Sequence, residues 1–309
     1  MEAYKVSGRT EDTTVMAMIG FGLLGAIGTA ILTGLLNKWI DLLIVVALGM
    51  GFFVGLAVKS GARRGHCRNG TVIALIAIMM GILAYSGKLF MNYRNERQTS
   101  IASIQSEIDE NKTIDAKIRG TLSAERIYDG IIQKKTGSTG FIAWLKILLE
   151  NGISISHHGG KGLNLGFIGS IILMLIEALC VAGIAWSVAI QQLDEPYCEH
   201  CLAWSEEAWE KTLSPEALEL ANARLMETQN PESLPYDFLS DSSPGDTSMA
   251  HGKLTLVHCP QCRDSWLSGS LITINEKKET ATTKVFQNLH IPNAVLDSLM
   301  KKAPENPEA

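Results

Sequence analysis

Hydrophobic residues along this chain of 309 residues gather in four long blocks that polar stretches separate. Each block has the roughly 17–25 residues that a helix needs to cross the hydrocarbon core of a membrane. We therefore predict four transmembrane helices. They cover Thr14 to Leu36, Leu42 to Val58, Thr71 to Met91 and Gly166 to Ile190.

The first block differs from a cleaved signal peptide. Glu2, Glu11 and Asp12 precede it, and it is longer than the apolar core of a signal peptide. A signal peptide instead begins with basic residues and has an apolar core of roughly 7–15 residues. We expect this segment to remain in the protein as an anchor.

The connection between the second and third blocks contains four basic residues and no acidic residue. Lys and Arg concentrate in the short cytoplasmic loops of membrane proteins, where they also meet anionic lipid headgroups. This connection is therefore predicted to be cytoplasmic, and four spans then bring both termini to the cytoplasm. The four basic residues are Lys59, Arg63, Arg64 and Arg68.

Small residues recur at every fourth position in the first block, and the second block has a shorter series. In lipid, such a stripe lets two helix backbones approach closely. The stripe predicts tight packing within the chain's own bundle, a seam between copies of a homo-oligomer, or both. Its residues are Gly22, Ala26, Ala30 and Gly34 in the first block and Gly51 and Gly55 in the second.

One carboxylate, Glu177, lies near the middle of the fourth block. An ionised carboxylate that faces lipid is costly, so such residues usually face the bundle interior or water. A structural role would pair Glu177 with the hydroxyl of Tyr85 or with Lys88, the one basic residue inside a block. In the alternative role, copies of Glu177 form a carboxylate ring that selects cations in a channel.

Residues 92–165, between the third and fourth blocks, are predicted to form a helical region outside the cytoplasm. A long amphipathic helix is predicted from apolar residues at helical spacing, which are Ile101, Ile104, Ile108, Ile118 and Leu122. A second helix is predicted over Phe141 to Glu150. It either lies at the membrane interface with Trp144 among the headgroups or forms the small core of this region.

Two CxxC motifs follow the fourth block, Cys198 with Cys201 and Cys259 with Cys262. Two such pairs are typical of a structural zinc site, in which four thiolates surround the ion and leave no open position. A redox role for one motif would need a βαβ pattern around it, which this part of the sequence lacks. We therefore predict a structural zinc ion as the cofactor.

The tail, residues 191–309, is predicted to be a small α+β domain that resembles a zinc ribbon. Its second CxxC motif lies between two strand-like runs, Lys253 to His258 and Leu271 to Asn275. A helix is predicted over Ser205 to Thr228, inserted between the two motifs. Residues 229–250 are rich in Pro and Ser, which predicts a disordered insert.

Charge separates the tail from the rest of the chain. The tail has 19 acidic and 9 basic residues, a net charge of −10, whereas the remainder has a net charge of +5. A zinc ribbon that binds nucleic acid needs a basic face, so nucleic acid is not an expected partner. The sequence also lacks phosphate-binding, metalloprotease and serine-hydrolase motifs, and we expect no enzymatic activity.

Four short segments carry a resemblance to a family of bacterial multi-pass membrane proteins of uncharacterised activity that have a cysteine-knuckle tail. They are Gly65 to Asn69, Trp144 to Gly152, Ile176 to Ala178 and Pro196 to Cys201. The resemblance implies a location in the bacterial inner membrane.

Together these patterns predict an all-α transmembrane bundle of four helices, with a helical extracytoplasmic region and an α+β zinc-ribbon-like domain in the cytoplasm. The first three helices belong to residues 1–91, and the fourth covers residues 166–190. The extracytoplasmic region covers residues 92–165, and the zinc-ribbon-like domain covers residues 191–309. The predicted function is a homo-oligomeric scaffold or anchor in the lipid bilayer, whose zinc domain binds itself or a cytosolic protein. The alternative is a cation channel lined by small-residue helices and Glu177.

Overall fold

A computed structural model describes most of the chain, and it divides into two compact units. The helical unit comprises residues 10–191, and the sheet unit comprises residues 1–9 with 192–309. The predicted insert at 229–250 lies almost wholly outside the described residues. These are residues 4–36, 43–110, 123–155, 163–227, 250–274 and 280–291.

The prediction of four long apolar helices is confirmed, and within the described residues each is long and apolar enough to cross a membrane. Among the described residues between the third and the fourth, there are two shorter helices and a short hairpin. In chain order the elements are α1 (Asp12–Leu36), α2 (Leu43–Arg64), α3 (Gly70–Glu110), α4 (Ala124–Thr136), α5 (Phe141–Asn151), β1 (Ser154–Ile155), β2 (Leu163–Asn164) and α6 (Gly166–Ile190).

The long helices form a four-helix bundle in which α1 and α6 each pack against both α2 and α3. Helices α1 and α3 run in the same direction, because Gly22 lies against Met80 and Gly34 lies against Met91. Helices α2 and α6 run the opposite way. Successive long helices therefore alternate in direction, as in an up-down-up-down four-helix bundle.

The third apolar block does not end where its hydrophobic residues end. Helix α3 continues without a break past Met91 to Glu110 and is 41 residues long, about 60 Å at the helical rise. Residues 92–110 contain neither glycine nor proline, so nothing in the sequence ends the helix there. Up to Glu110, the predicted amphipathic helix is thus the polar half of α3, and its last part, with Ile118 and Leu122, lies outside the described residues.

Helices α4 and α5 pack against this polar half of α3 and form a small apolar core. Tyr128 and Ile132 of α4 and Ala143 of α5 are its buried residues. Trp144 is also buried, and its indole N–H donates to Glu96 Oε2 at 2.7 Å. Helix α5 was predicted either to lie at the membrane interface or to form the small core of this region, and in the structure it is part of that core.

The sheet unit contains an antiparallel sheet of four strands, a two-stranded hairpin and a helix. The sheet order is β5-β6-β7-β8, so β5 and β8 are its edges. The elements are β3 (Tyr197–Cys198), β4 (Ala203–Trp204), β5 (Glu206–Leu213), α7 (Pro215–Glu227), β6 (His251–His258), β7 (Ser265–Ile274) and β8 (Thr280–Ile291).

The helix predicted over Ser205 to Thr228 is wrong in its first half, which is strand β5. This strand pairs with β6 from Glu206 opposite His258 to Leu213 opposite Gly252. Pairing with β6 overrides the helical preference of the Glu and Lys residues in this segment. The helix begins only after Ser214, whose hydroxyl accepts a hydrogen bond from the Ala217 N–H at 3.2 Å and caps α7.

Helix α7 covers one face of the sheet. Leu218 and Leu225 of α7 are buried among apolar residues of all four strands. A Cβ added to Gly252 or Gly269 would lie 2.9 Å from side-chain atoms of Leu218, so these two glycines give the leucine its space. This core supports the strands that carry the second CxxC motif.

Candidate metal centre

The four cysteines of the two CxxC motifs meet in one cluster. Their Sγ atoms all lie within 4.8 Å of one another, and those of Cys198 and Cys262 are 3.4 Å apart. Sulfurs bound tetrahedrally at about 2.3 Å from a zinc ion lie about 3.8 Å apart. All four thiols are free, so no disulfide competes with a metal. The cluster can hold a metal ion.

Two hairpins position the four sulfurs. Cys198 and Cys201 lie in the β3-β4 hairpin, and Cys259 and Cys262 lie in the turn between β6 and β7. In the second turn, the Cys259 N–H donates to the Asp264 carbonyl at 2.7 Å. The prediction that this motif lies at the tip of a hairpin is confirmed.

The residue after each CxxC motif has the same unusual backbone conformation. Leu202 has φ 52° and Arg263 has φ 65°, both in the left-handed region. Residues other than glycine rarely adopt this region, because the Cβ atom crowds the backbone. Both motifs therefore turn the chain in the same way to direct their two sulfurs to one point.

Burial is also alike in the two motifs. The first cysteine of each, Cys198 and Cys259, is buried, and the second is partly exposed. Burial raises the pKa of Cys198, and hydrogen bonding to Cys262 raises the pKa of Cys201 to about 12. Burial also acts to raise the pKa of Cys259, but the N–H groups of Cys262 and Gln261 outweigh it, and this pKa is lowered.

The four thiols are close enough to form hydrogen bonds with one another, as those of Cys198 and Cys262 do. Thiolates this close would repel one another. A cation among the sulfurs removes the repulsion and releases protons as it binds. The arrangement is therefore suited to a metal ion that four thiolates surround.

Aromatic residues shield one side of the cluster. Trp266 is buried beside Cys198 and Cys259, and Tyr4 packs edge-to-face on Trp266 with the ring centroids 6.1 Å apart. The Tyr4 N–H donates to the Asn288 carbonyl of β8 at 2.9 Å. The N-terminal segment is thus part of the metal centre, although Tyr4 and Cys198 are 194 positions apart in the sequence.

Two further polar residues near the sulfurs were missed by sequence reasoning. Asp264 Oδ2 lies 3.9 Å from Cys198 Sγ, and its Oδ1 lies 3.7 Å from His290 Nε2. Asp264 follows the second motif by two residues, a position that could have suggested it. His290 had no such signal, because β8 brings it to the cluster through sheet pairing with Trp266.

Comparisons with known proteins do not extend this description. No family model, curated protein or solved structure matches the chain. The resemblance to bacterial multi-pass membrane proteins therefore stays a prediction, and the argument about function rests on the geometry of the two units.

The structure brings together the three polar residues that the sequence singled out in the apolar helices. The Tyr85 hydroxyl donates to Glu177 Oε2 at 2.8 Å, and Lys88 Nζ lies 3.5 Å from both carboxylate oxygens. All three side chains are buried between α3 and α6, with Glu177 only 7% exposed. Glu177 therefore faces α3 of its own chain.

The small residues of the stripe lie against neighbouring helices of the same chain. A Cβ on Gly22 would be 2.7 Å from Met80, and one on Gly34 would be 3.1 Å from Met91. On α2, Gly51 and Gly55 are equally close to α6. Ala26 and Ala30 are buried as well. The four glycines of the stripe thus lie against neighbouring helices of the same chain, and its two alanines are buried.

The basic residues after the second block fall into two groups. Lys59, Arg63 and Arg64 lie in the last turns of α2, and the two arginines are exposed. Arg68 instead is only 3% exposed, with its Nη2 3.8 Å from Glu11 Oε1. This ion pair lies within the helical unit, and the burial of Arg68 differs from the headgroup contact that its sequence position predicts.

Proposed function

We propose that this chain is a homo-oligomeric scaffold in the bacterial inner membrane, with the helical unit as anchor and a zinc-stabilised sheet unit that binds protein in the cytoplasm. The observation that carries the proposal is the presence in one chain of a helical bundle with an apolar exterior and a closed cluster of four cysteines. The bundle fits an anchor, and the cluster fits a structural metal.

The exterior of the bundle supports the membrane location. All four long helices expose large apolar side chains, far more than a soluble monomer leaves open to water. Lipid is the surrounding in which such a surface is stable. Exposed residues include Leu24, Ile27 and Leu35 of α1, Val45 and Phe53 of α2, Leu75, Met79 and Ile82 of α3, and Ile168, Leu175 and Leu179 of α6.

The chemistry of the four ligands supports zinc and a structural role. Four thiolates suit a soft or borderline cation and fill its tetrahedral coordination, so no position stays open for a substrate. Free thiols are also maintained in the reducing cytosol. Tyr4 of the N-terminal segment packs on Trp266 within the sheet unit, which supports an N-terminus and a tail on one side of the membrane. An even number of spans agrees with this arrangement.

An open sheet edge supports protein binding. Strand β8 is an edge strand, and its residues 280–284 are all exposed. Among the described residues, no strand pairs with its outer side. Unpaired backbone groups on an edge can add a strand from another chain, including a second copy of the same protein. We infer that this edge contributes to self-association.

Metal content and oligomeric state test the proposal together. The full chain in lipid nanodiscs should contain one zinc per chain by elemental analysis and should add, by mass photometry, at least twice the 33.6 kDa of one chain to the mass of an empty nanodisc. Cys259→Ser should lose the zinc and reduce the added mass to that of one chain. A wild-type protein with one chain per nanodisc would contradict the scaffold.

Labelling with a membrane-impermeant thiol reagent tests the orientation. Ser138→Cys lies in the exposed turn between α4 and α5 and should react from outside intact cells. Ser7→Cys, in the exposed N-terminal segment, should react only after the membrane is opened. The reverse pattern would overturn the proposed orientation.

The cation channel stays a prediction with its own test. Glu177 forms a buried ion pair with Lys88 of its own chain. This structural role does not favour a ring of Glu177 carboxylates. We expect no cation flux across liposomes that contain the wild-type protein. Cation currents that disappear in Glu177→Gln would replace the scaffold by the channel.

A further inference from the structure

A groove and a pocket on the helical unit share one lining residue, Phe90. The groove, of about 430 Å³, runs between α1 and α3. The pocket, of about 340 Å³, lies among α3, α4 and the start of α5, and two arginines, Arg94 and Arg97, line it. Both volumes are in the range of small-ligand sites.

One face of α3 carries both features. Leu83, Gly87, Phe90, Arg94 and Arg97 follow one another at spacings of four and three residues, which keeps them on one side of a helix. Along this face the lining changes from apolar to basic. The change occurs at the position where the hydrophobic block of α3 ends and its polar half begins.

Small residues form the floor of the groove, and large apolar residues form its walls. Ala26 and Ala30 of α1 are buried at the bottom, next to Gly87. Ile27 and Ile31 of α1 rise beside them and are about half exposed. The lining spans about 10 Å of helix rise from Leu83 to Phe90, most of the roughly 15 Å depth of one leaflet's hydrocarbon.

Arg94 and Arg97 differ in their ion pairs. Arg97 lies 3.5 Å from Glu125 and 3.6 Å from Asp129 of α4, and its guanidinium lies 5.8 Å from the ring of Tyr128. Arg94 is exposed and makes no ion pair with any residue that the structure describes. The pocket lining contains one acidic residue, Asp129, against two arginines, so its net charge is positive.

We propose that this site binds an anionic phospholipid, with an acyl chain in the α1/α3 groove and the phosphate against Arg94 and Arg97. Guanidinium groups bind phosphate through charge-assisted hydrogen bonds, which are stronger at the edge of lipid than in bulk water. Phe90 marks the boundary between chain and headgroup. The site rests on the membrane location proposed above, and it would retain a lipid beside the region formed by α4 and α5.

Native mass spectrometry of the full chain, released from detergent micelles, measures this binding directly. The probes are phosphatidylglycerol, uncharged diacylglycerol with the same chains, and water-soluble glycerol 3-phosphate. Phosphatidylglycerol should bind at least tenfold more tightly than either of the others. Equal binding of phosphatidylglycerol and diacylglycerol would overturn the proposal, because the arginines would then contribute nothing.

Two pairs of variants localise the site. Arg94→Gln should weaken phosphatidylglycerol binding about tenfold, as expected for the loss of one charge-assisted contact, whereas Arg126→Gln on the exposed face of α4 should not. Ser86→Phe should fill the groove and weaken binding similarly. Its control is Ser60→Phe, because both serines are exposed and donate to the carbonyl four residues earlier.

The remaining outcomes separate the two proposals. Glycerol 3-phosphate that binds as tightly as the lipid and ignores Ser86→Phe would make a soluble phosphate ester the ligand and overturn the lipid site. A protein that carbonate extracts from membranes would overturn the membrane location itself. A protein that resists carbonate but binds phosphatidylglycerol equally well after Arg94→Gln would overturn only the lipid site.

Discussion

The cysteine cluster of the sheet unit and the Tyr85, Lys88 and Glu177 cluster of the helical unit both contain buried polar side chains, but different partners balance their charge. In the helical unit, the cation and the anion both come from the chain, 3.5 Å apart. In the sheet unit, four thiols lie within 4.8 Å of one another, an arrangement whose negative charge a metal ion could balance.

The difference follows from the surroundings that the sequence predicts. A domain in the cytosol can obtain a metal ion from solution, so its chain can specify four anions and no cation. Helices in lipid have no such supply, and an unpaired charge between them is costly. The chain therefore includes its own counter-charge, Lys88, one turn of α3 from Tyr85.

Removal of the metal should have the largest effect of any change. Structural zinc contributes roughly 10–16 kcal/mol to the folding of small zinc domains. Chelation, or Cys259→Ser, should therefore unfold the β6-β7 turn and raise amide hydrogen exchange across both strands by several orders of magnitude. Helices α1 to α3 should keep their protection.

A matched cysteine variant controls for this prediction. Cys180→Ser, on α6, removes a free thiol that is not part of the cluster and should leave the metal content unchanged. If strands β6 and β7 exchange at the same slow rate with and without metal, the metal does not stabilise the sheet unit. In that case, the statement that a metal ion balances the charge of the cysteine cluster would be wrong.

Loss of one partner of the buried pair should have the next largest effect. Lys88→Met leaves Glu177 without its counter-ion, which should destabilise the helical unit by about 3–5 kcal/mol. The double variant Lys88→Met with Glu177→Met should recover most of this loss, because no charge remains buried. Unfolding of the detergent-solubilised protein measures both.

An exposed ion pair of the same unit gives the control. Glu125→Gln removes a partner of Arg97 at the same 3.5 Å distance, but Glu125 is 64% exposed. The expected cost is below about 1 kcal/mol. If Lys88→Met costs no more than Glu125→Gln, or if the two methionine variants are simply additive, burial of the pair has no energetic role.

The two clusters also differ in what the sequence could predict. Each CxxC motif is local, so its four residues and their metal chemistry could be read directly. The Tyr85–Glu177 hydrogen bond joins residues 92 positions apart. It was nevertheless among the predicted alternatives, because polar residues are so rare in apolar helices that few pairings exist.

Long-range sheet pairing explains what the sequence could not predict. Tyr4 and His290 reach the metal centre only through β8, and no local pattern marks them. The glutamates and lysine of strand β5 favour the helix that was predicted there, whereas its pairing with β6 depends on residues 39 to 52 positions away. The continuation of α3 was missed because hydropathy alone set its predicted end.

Loss of close helix packing should have the third largest effect on stability, and it concerns the helical unit alone. A Cβ on Gly55 would lie 2.7 Å from Val188 Cβ and 2.8 Å from the Ala185 carbonyl oxygen. Gly55→Ala should therefore cost about 1–3 kcal/mol, because α2 and α6 must separate. Gly49→Ala is the control, since a Cβ there meets no atom within 4 Å. Equal melting temperatures for the two variants would contradict the close approach.

The smallest expected effect is that of a substitution beside the metal centre. Tyr4→Ala removes an edge-to-face contact with Trp266, worth about 0.5–1.5 kcal/mol, and uncovers the aromatic side of the cluster. We expect a chelator to remove the metal several times faster from this variant, whereas Lys5→Ala, an exposed neighbour, should match the wild type. Equal chelation rates for Tyr4→Ala and the wild type would mean that the four thiolates alone retain the ion. A faster rate for Tyr4→Ala would mean that the Tyr4 side chain shields the metal from the chelator, in addition to the binding by the four thiolates.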